Sequence, residues 1–167
     1  MKGEVLRNYL EITSIHNLNE VIKPAKDYSL DLMSPINFQL NKFFYKNIGK
    51  KHKWVDRLAW PEEKWINYVS NKNVLSYVFK YKDDLVGFFE LIIHPEKNDT
   101  EIAYFGILEE YQNKKLGSYL LSEAIKKSFE NKVNRVWVHT CSLDHKNALN
   151  NYVSRGMKIF KTELLNI

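Results

Sequence analysis

The stretch YQNKKLGSYLL, from Tyr111 to Leu121, sets Lys114, Lys115 and Gly117 at what reads as a helix start. Helix starts favour Ser, Thr, Asp or Asn as caps and acids in the first turn. A basic, sparsely capped start leaves backbone N–H groups to be satisfied from outside the chain, and an anion suits them. Gly117 removes a Cβ where backbone and ligand would come close. Two carboxylates upstream have the residue type of a general base: Glu101, opening the run TEIAYFGIL, and Glu90, inside the apolar run GFFELII. For each, a paired structural acid is the plainer reading. Tyr152 offers a phenol that stays protonated at neutral pH and so can give up a proton, and a core tyrosine is its plainer reading. His139, Cys141 and His145 are nitrogen and sulfur ligands by type, but their spacing matches no common zinc pattern, and no metal is expected.

The chain of 167 residues fits a single domain, 1–167, and at 44% hydrophobic and 27% charged it reads as globular. Its longest apolar runs fall well short of a bilayer span, and its first residues lack a secretory apolar core, so a cytoplasmic protein without a membrane partner is expected. The lone Cys141 agrees with that compartment. A net charge of +5 suits a phosphorylated ligand or an ordinary solvated surface.

These groups need a scaffold. Val5–Thr13 reads as a strand. SPINFQLNKFFYKNIG reads as a helix capped by Ser34, with Pro35 in its first turn and Gly49 as its stop. A second helix begins at Pro61. NVLSYVFKY and LVGFFELII flank KDD as a hairpin, and Thr100–Leu108 follows as a third strand. A helix from Leu116 to Glu130 carries Leu116, Leu120, Leu121, Ala124 and Phe129 on one stripe. Arg135–Cys141 is a strand, HKNALNNYVSR a short helix ended by Gly156, and MKIFKTELL a closing strand. The order predicts an α/β fold with a mixed sheet, antiparallel first and then a parallel βαβ unit, with helices on both faces. Strand alternation puts Glu101, Ala103, Phe105 and Ile107 on one side of their strand.

Gln112-Asn113-Lys114-Lys115-Leu116-Gly117 resembles the acetyl-CoA motif of the GNAT superfamily of N-acetyltransferases, Gln/Arg-x-x-Gly-x-Gly/Ala, with Lys115 in place of the first Gly. HKNALNNYVSRGM is similar to that family's C-terminal pattern in Ala148, Tyr152 and Gly156, with His145 in the usual Asn position and Met157 for Phe. The longer phrase RVWVHTCSLDHKNALNNY resembles an uncharacterised bacterial branch. The likeness is strong over 85–162 and weaker before.

The resemblance implies acetyl-CoA as acetyl donor and direct transfer to a primary amine, with a small-molecule acceptor. Pantetheine would lie along Phe105, Gly106 and Ile107, and the pyrophosphate over Asn113–Ser118, with Gln112 and His145 close by. Leu116 and Ser118 belong to that cradle. Tyr152 takes the position of the acid that protonates the leaving thiolate, and Glu101 that of the general base, with Glu90 as rival. A homodimer fits the family. In GNAT proteins the segment after the first strand commonly forms the acceptor wall, here Tyr45, Trp54, Trp60 and Trp65. A rival reading gives Lys46, Lys50, Lys51, Lys53 and Arg57 to a nucleic acid, as a GNAT-shaped module that contacts RNA or protein without turnover; nucleic acid is the less favoured partner.

Overall fold

The computed structural model describes residues 3–166. Seven strands form one sheet: β1 (Glu4–Ile12), β2 (Tyr28–Leu32), β3 (Val74–Tyr81), β4 (Asp84–His94), β5 (Asp99–Ile107), β6 (Arg135–Cys141) and β7 (Lys158–Asn166), in the order β2-β3-β4-β5-β6-β1-β7. Only β5 and β6 run parallel; all other neighbours are antiparallel. Two helices, α1 (Phe38–Gly49) and α2 (Glu62–Val69), precede β3, while α3 (Leu116–Phe129) crosses from β5 to β6 and α4 (Ala148–Ser154) precedes β7.

Helices cover both faces, as the pattern predicts. On one face Leu116, Leu120, Leu121 and Ala124 of α3 pack with Leu10, Ile12, Ile102, Val136 and Tyr152, and Phe129 sits at the margin. On the other, Phe44 and Ile48 of α1 meet Val78 and Phe88, the two phenyl rings stacked at 4.9 Å. Both clusters are apolar faces removed from water, the main stabilising term of such a fold.

The structure departs from the sequence reading in several places. The cap of α1 is Asn37, whose Oδ1 accepts from the Leu40 N–H at 3.2 Å, so the helix starts past Ser34 and Pro35. Gly49 is the last helical residue rather than the stop, packed against Trp54. The short edge strand β2 (YSLDL) escaped the pattern because little of it is buried.

The larger correction concerns β5. Glu90 pairs with Tyr104 and Leu91 with Ile102, so Ala103 is an extra residue, a β-bulge. Side-chain parity flips there. Ile102, Phe105 and Ile107 all face α3, whereas Tyr104 lies on the α1 side. Glu101 therefore does not share a face with Phe105 and Ile107.

Candidate active site

Parallel pairing of β5 with β6 covers only Asp99↔Arg135, Thr100↔Val136 and Glu101↔Trp137. Beyond Glu101 the strands part. β6 continues along β1 and β5 along β4, leaving the β6-facing backbone edge of 103–107 without a strand partner. Buried or half-buried peptide groups demand partners, so this edge is prepared to pair with an extended ligand. The split opens into a cleft of about 1310 Å³, larger than the roughly 300–1,000 Å³ of a usual small-molecule pocket and roomy enough for more than one substrate.

At one end lies the start of α3. Asn113 and Lys115 both take left-handed backbone, with φ of 64° and 60°. Such residues curl a loop so that successive N–H groups point inward, as in an anion nest. Lys115 is the N-cap, no side chain caps the helix, and no acid stands in its first turn. The lysine thus occupies the left-handed position directly, at the modest cost a Cβ imposes there. Ser118 Oγ donates to the Lys115 carbonyl at 3.0 Å, and Gln112 Nε2 donates to the Ile107 carbonyl at 3.2 Å, tying loop to strand. A Cβ on Gly117 would meet only Asn151 Nδ2, at 3.8 Å. Neither packing nor backbone angle requires glycine at this position.

Tyr152 of α4 lines the same cleft. Burial first, and the Asp144 charge second, push its hydroxyl well above the ordinary tyrosine range, so it is held protonated. Asp144 itself accepts from the Cys141 N–H at 3.0 Å and from the Thr140 hydroxyl, fixing the turn that leads to α4. His145 sits in that turn, its ring 6.3 Å from His52, and its Nδ1 accepts from the Asn147 N–H. Burial and the neighbouring His52 lower its proton affinity.

Glu101 stands at the fork of the split, one carboxylate oxygen 3.1 Å from His94 Nε2. Glu90 is in a different setting. It is 1% exposed and its two oxygens accept from Arg57 Nη1 and Nη2 at 3.0 and 2.9 Å. The Tyr68 hydroxyl donates to it at 3.1 Å. The pair sits in an aromatic cage: the Arg57 guanidinium lies 4.2 Å from the Tyr68 ring centre, 4.4 Å from Tyr104 and 4.9 Å from Trp60. Glu90 does not line the cleft, whereas Glu101 does.

The aromatic wall is partly as expected. Trp54 and Trp60 reach the cleft, but Tyr45 and Trp65 are core residues at 1% exposure. Tyr68, Tyr104 and Arg57 complete the wall. No local pattern announced Arg57 as their centre, because its partner Glu90 is 33 positions away. The burial of Arg57 also removes it from the basic surface that a nucleic acid would touch, and Lys51 is paired with Glu109.

The fold is that of the GNAT acyltransferases. Residues 38–157 match the Acetyltransferase (GNAT) family, and the chain belongs to that family, whose members transfer acyl groups from acyl-CoA. No match to a curated protein sequence was found. Among solved structures, the chain is similar to a GCN5-related N-acetyltransferase from Sphaerobacter thermophilus (TM-score 0.74, 13% identity), covering 99% of this chain and 51% of that one. It thus spans about half the length of that protein. A Bacillus subtilis acetyltransferase in complex with CoA aligns at TM-score 0.59 and 19% identity, covering 80% and 78% of the two chains. An aminoglycoside acetyltransferase from an uncultured soil metagenomic sample aligns at TM-score 0.62 and 13% identity, covering 80% and 90%. Among the described residues, no helix is long and apolar enough to cross a membrane.

Proposed function

We propose that the protein is an acetyl-CoA-dependent N-acetyltransferase that moves an acetyl group directly to the primary amine of a small molecule. One observation carries the reading: the split between β5 and β6 has an uncapped, glycine-bearing helix start at one end and a cleft-facing carboxylate at its fork. The uncapped N–H groups of 116–118, with Lys114 and Lys115, suit the pyrophosphate; the free edge at Phe105–Ile107 suits the amide-bearing pantetheine arm. Bound there, acetyl-CoA supplies an activated acyl thioester. Glu101 takes the proton of the incoming ammonium, directly or through water, with His94 holding one of its oxygens. Tyr152, kept protonated by burial, returns a proton to the leaving group. Glu90 has no role as base in this scheme; it holds Arg57 in the acceptor wall.

CoA release from acetyl-CoA with a panel of amines tests the activity, and stabilisation by acetyl-CoA rather than RNA in a thermal melt separates it from a binding module without turnover. Gly117→Ala is expected to fold and to bind acetyl-CoA, since there is space for the methyl at this position. Gly117→Glu is expected to weaken binding about 10–100-fold by placing a carboxylate at the anion site, read by calorimetry. Unchanged affinity in the folded glutamate variant removes this site assignment.

Glu101→Gln is expected to lower kcat about 10²-fold, with acetyl-CoA affinity near wild type. Wild-type turnover in Glu101→Gln removes the general base from Glu101.

A further inference from the structure

The acceptor half of the cleft has a second end, built by the N-terminal strand. β1 inserts between β6 and β7, and this places Arg7 opposite Cys141 on one side and Glu163 on the other. Arg7 lines the cleft. Its Nε is buried and has no hydrogen-bond partner among the described residues. Its strand neighbour Glu163 is already engaged, 2.6 Å from Lys161 Nζ and 3.0 Å from the Tyr9 hydroxyl. Of the other arginines of the sheet and its α1-side cover, Arg57 is hydrogen-bonded to Glu90, and Arg135, whose Nε also lacks a hydrogen bond, has that atom 3.2 Å from a Glu11 carboxylate oxygen. Arg155 also has an unpartnered Nε, but it follows α4, which packs with α3 on the opposite face of the sheet.

Glu163, held first by Lys161 and Tyr9, also feels the Arg7 charge. His139, two residues before Cys141 on β6, is held below its ordinary value by burial first and by the Arg7 charge second, and so stays neutral near pH 7. Arg7 therefore brings one permanent positive charge and a planar fork of donors to this part of the floor, a match for a single carboxylate. Glu101 stands at the other end, opposite Trp137, and Arg7 opposite Cys141. Those positions are four residues apart on β6, about 13 Å along the strand direction. A negative group at the fork and a positive group beyond it make a cleft floor with two poles.

We infer that Arg7 selects the acceptor by binding a carboxylate carried by the same molecule whose amine is presented to Glu101, which makes the acceptor an amino acid or related amino carboxylate. This inference rests on the acetyl-transfer reading above and narrows its substrate.

The test measures CoA release at saturating acetyl-CoA with glycine, β-alanine, 4-aminobutyrate, 6-aminohexanoate and lysine, each beside its carboxamide, for wild type, Arg7→Gln and Arg7→Lys. Wild type is expected to favour the best acid over its amide about 10–100-fold in kcat/KM, the worth of one charged hydrogen-bonded pair. Arg7→Gln should bring that ratio close to one, chiefly through a higher KM for the acid, and Arg7→Lys should restore part of it. Equal use of acid and amide by wild type overturns the inference, as does a ratio preserved in a folded Arg7→Gln variant or the absence of turnover with every compound. Acetyl-CoA binding, measured by calorimetry on the same samples, keeps the two readings apart. Binding without acid preference ends only the role of Arg7; no binding ends the acetyl-transfer reading as well.

Discussion

Tyr152→Phe is expected to cut turnover by about 10²–10⁴-fold while leaving acetyl-CoA affinity and stability almost unchanged. The substitution keeps the ring, which belongs to the core cluster between α3 and the sheet and lies 6.5 Å from Phe105. It removes only the hydroxyl, which has no hydrogen-bond partner within the described residues. A buried phenol that bonds nothing in its own protein costs little to delete, so the loss appears in the reaction alone. The protonation state follows from burial and from the Asp144 charge, both of which hold the proton on the oxygen. Steady-state kinetics on an identified acceptor, with a thermal melt of the same sample, checks both halves. Wild-type turnover in the phenylalanine variant removes the general acid from Tyr152.

The second large effect is on stability. Arg57→Ala is expected to destabilise the protein by about 3–5 kcal/mol, because it strands the Glu90 carboxylate in the interior without its counter-charge. The side chains of the pair are 8% and 1% exposed, too dry for water to replace the lost donors. The cage adds to the loss, since Tyr68, Tyr104 and Trp60 all pack on the guanidinium. Burial alone disfavours the Arg57 charge; the Glu90 hydrogen bonds and charge outweigh it and hold the guanidinium above its ordinary range. A cation whose folded value is raised contributes its full stabilisation below the unfolded value and loses it only as pH rises through the folded value, so the contribution is fully present near pH 7. Urea unfolding near pH 7 measures the effect. The double variant Arg57→Met with Glu90→Leu is expected to recover most of the stability, because apolar replacement of both partners leaves no buried charge. A single variant as stable as wild type shows that the pair is not the anchor of this wall.

The resemblance carried by Gln112–Gly117 and by Ala148, Tyr152 and Gly156 was legible because those motifs are local: a helix start, a strand-to-helix turn and a short helix. The family match over 38–157 confirms the class they indicated. Elements with strong periodicity were legible too. The Leu116, Leu120, Leu121, Ala124 stripe faces the sheet as its spacing requires, and Arg135–Cys141 forms the strand its β-branched and aromatic residues favour.

The alternation along β5 misled for a physical reason. A bulge inserts one residue against the partner strand, and nothing in TEIAYFGIL marks Ala103 as that residue; the register with β4 decides it. The acceptor wall was half legible for a similar reason. Aromatic residues at 45, 54, 60 and 65 announced a packed surface, but which of them face the cleft depends on how α1 and α2 settle on the sheet.

By itself, the sequence determined the class of the protein, its α/β layering and the uncapped turn before α3. Those properties rest on contacts between residues a few positions apart, where backbone preference and hydrophobic period act directly. Tertiary structure alone decided that Glu90 faces Arg57 while Glu101 faces the cleft, and that β1 lies between β6 and β7 with Arg7 on the cleft floor. These pairings join positions tens to more than a hundred residues apart. They are set by which strand edges meet and which charges are left in the dry interior, quantities that no local stretch of chain encodes.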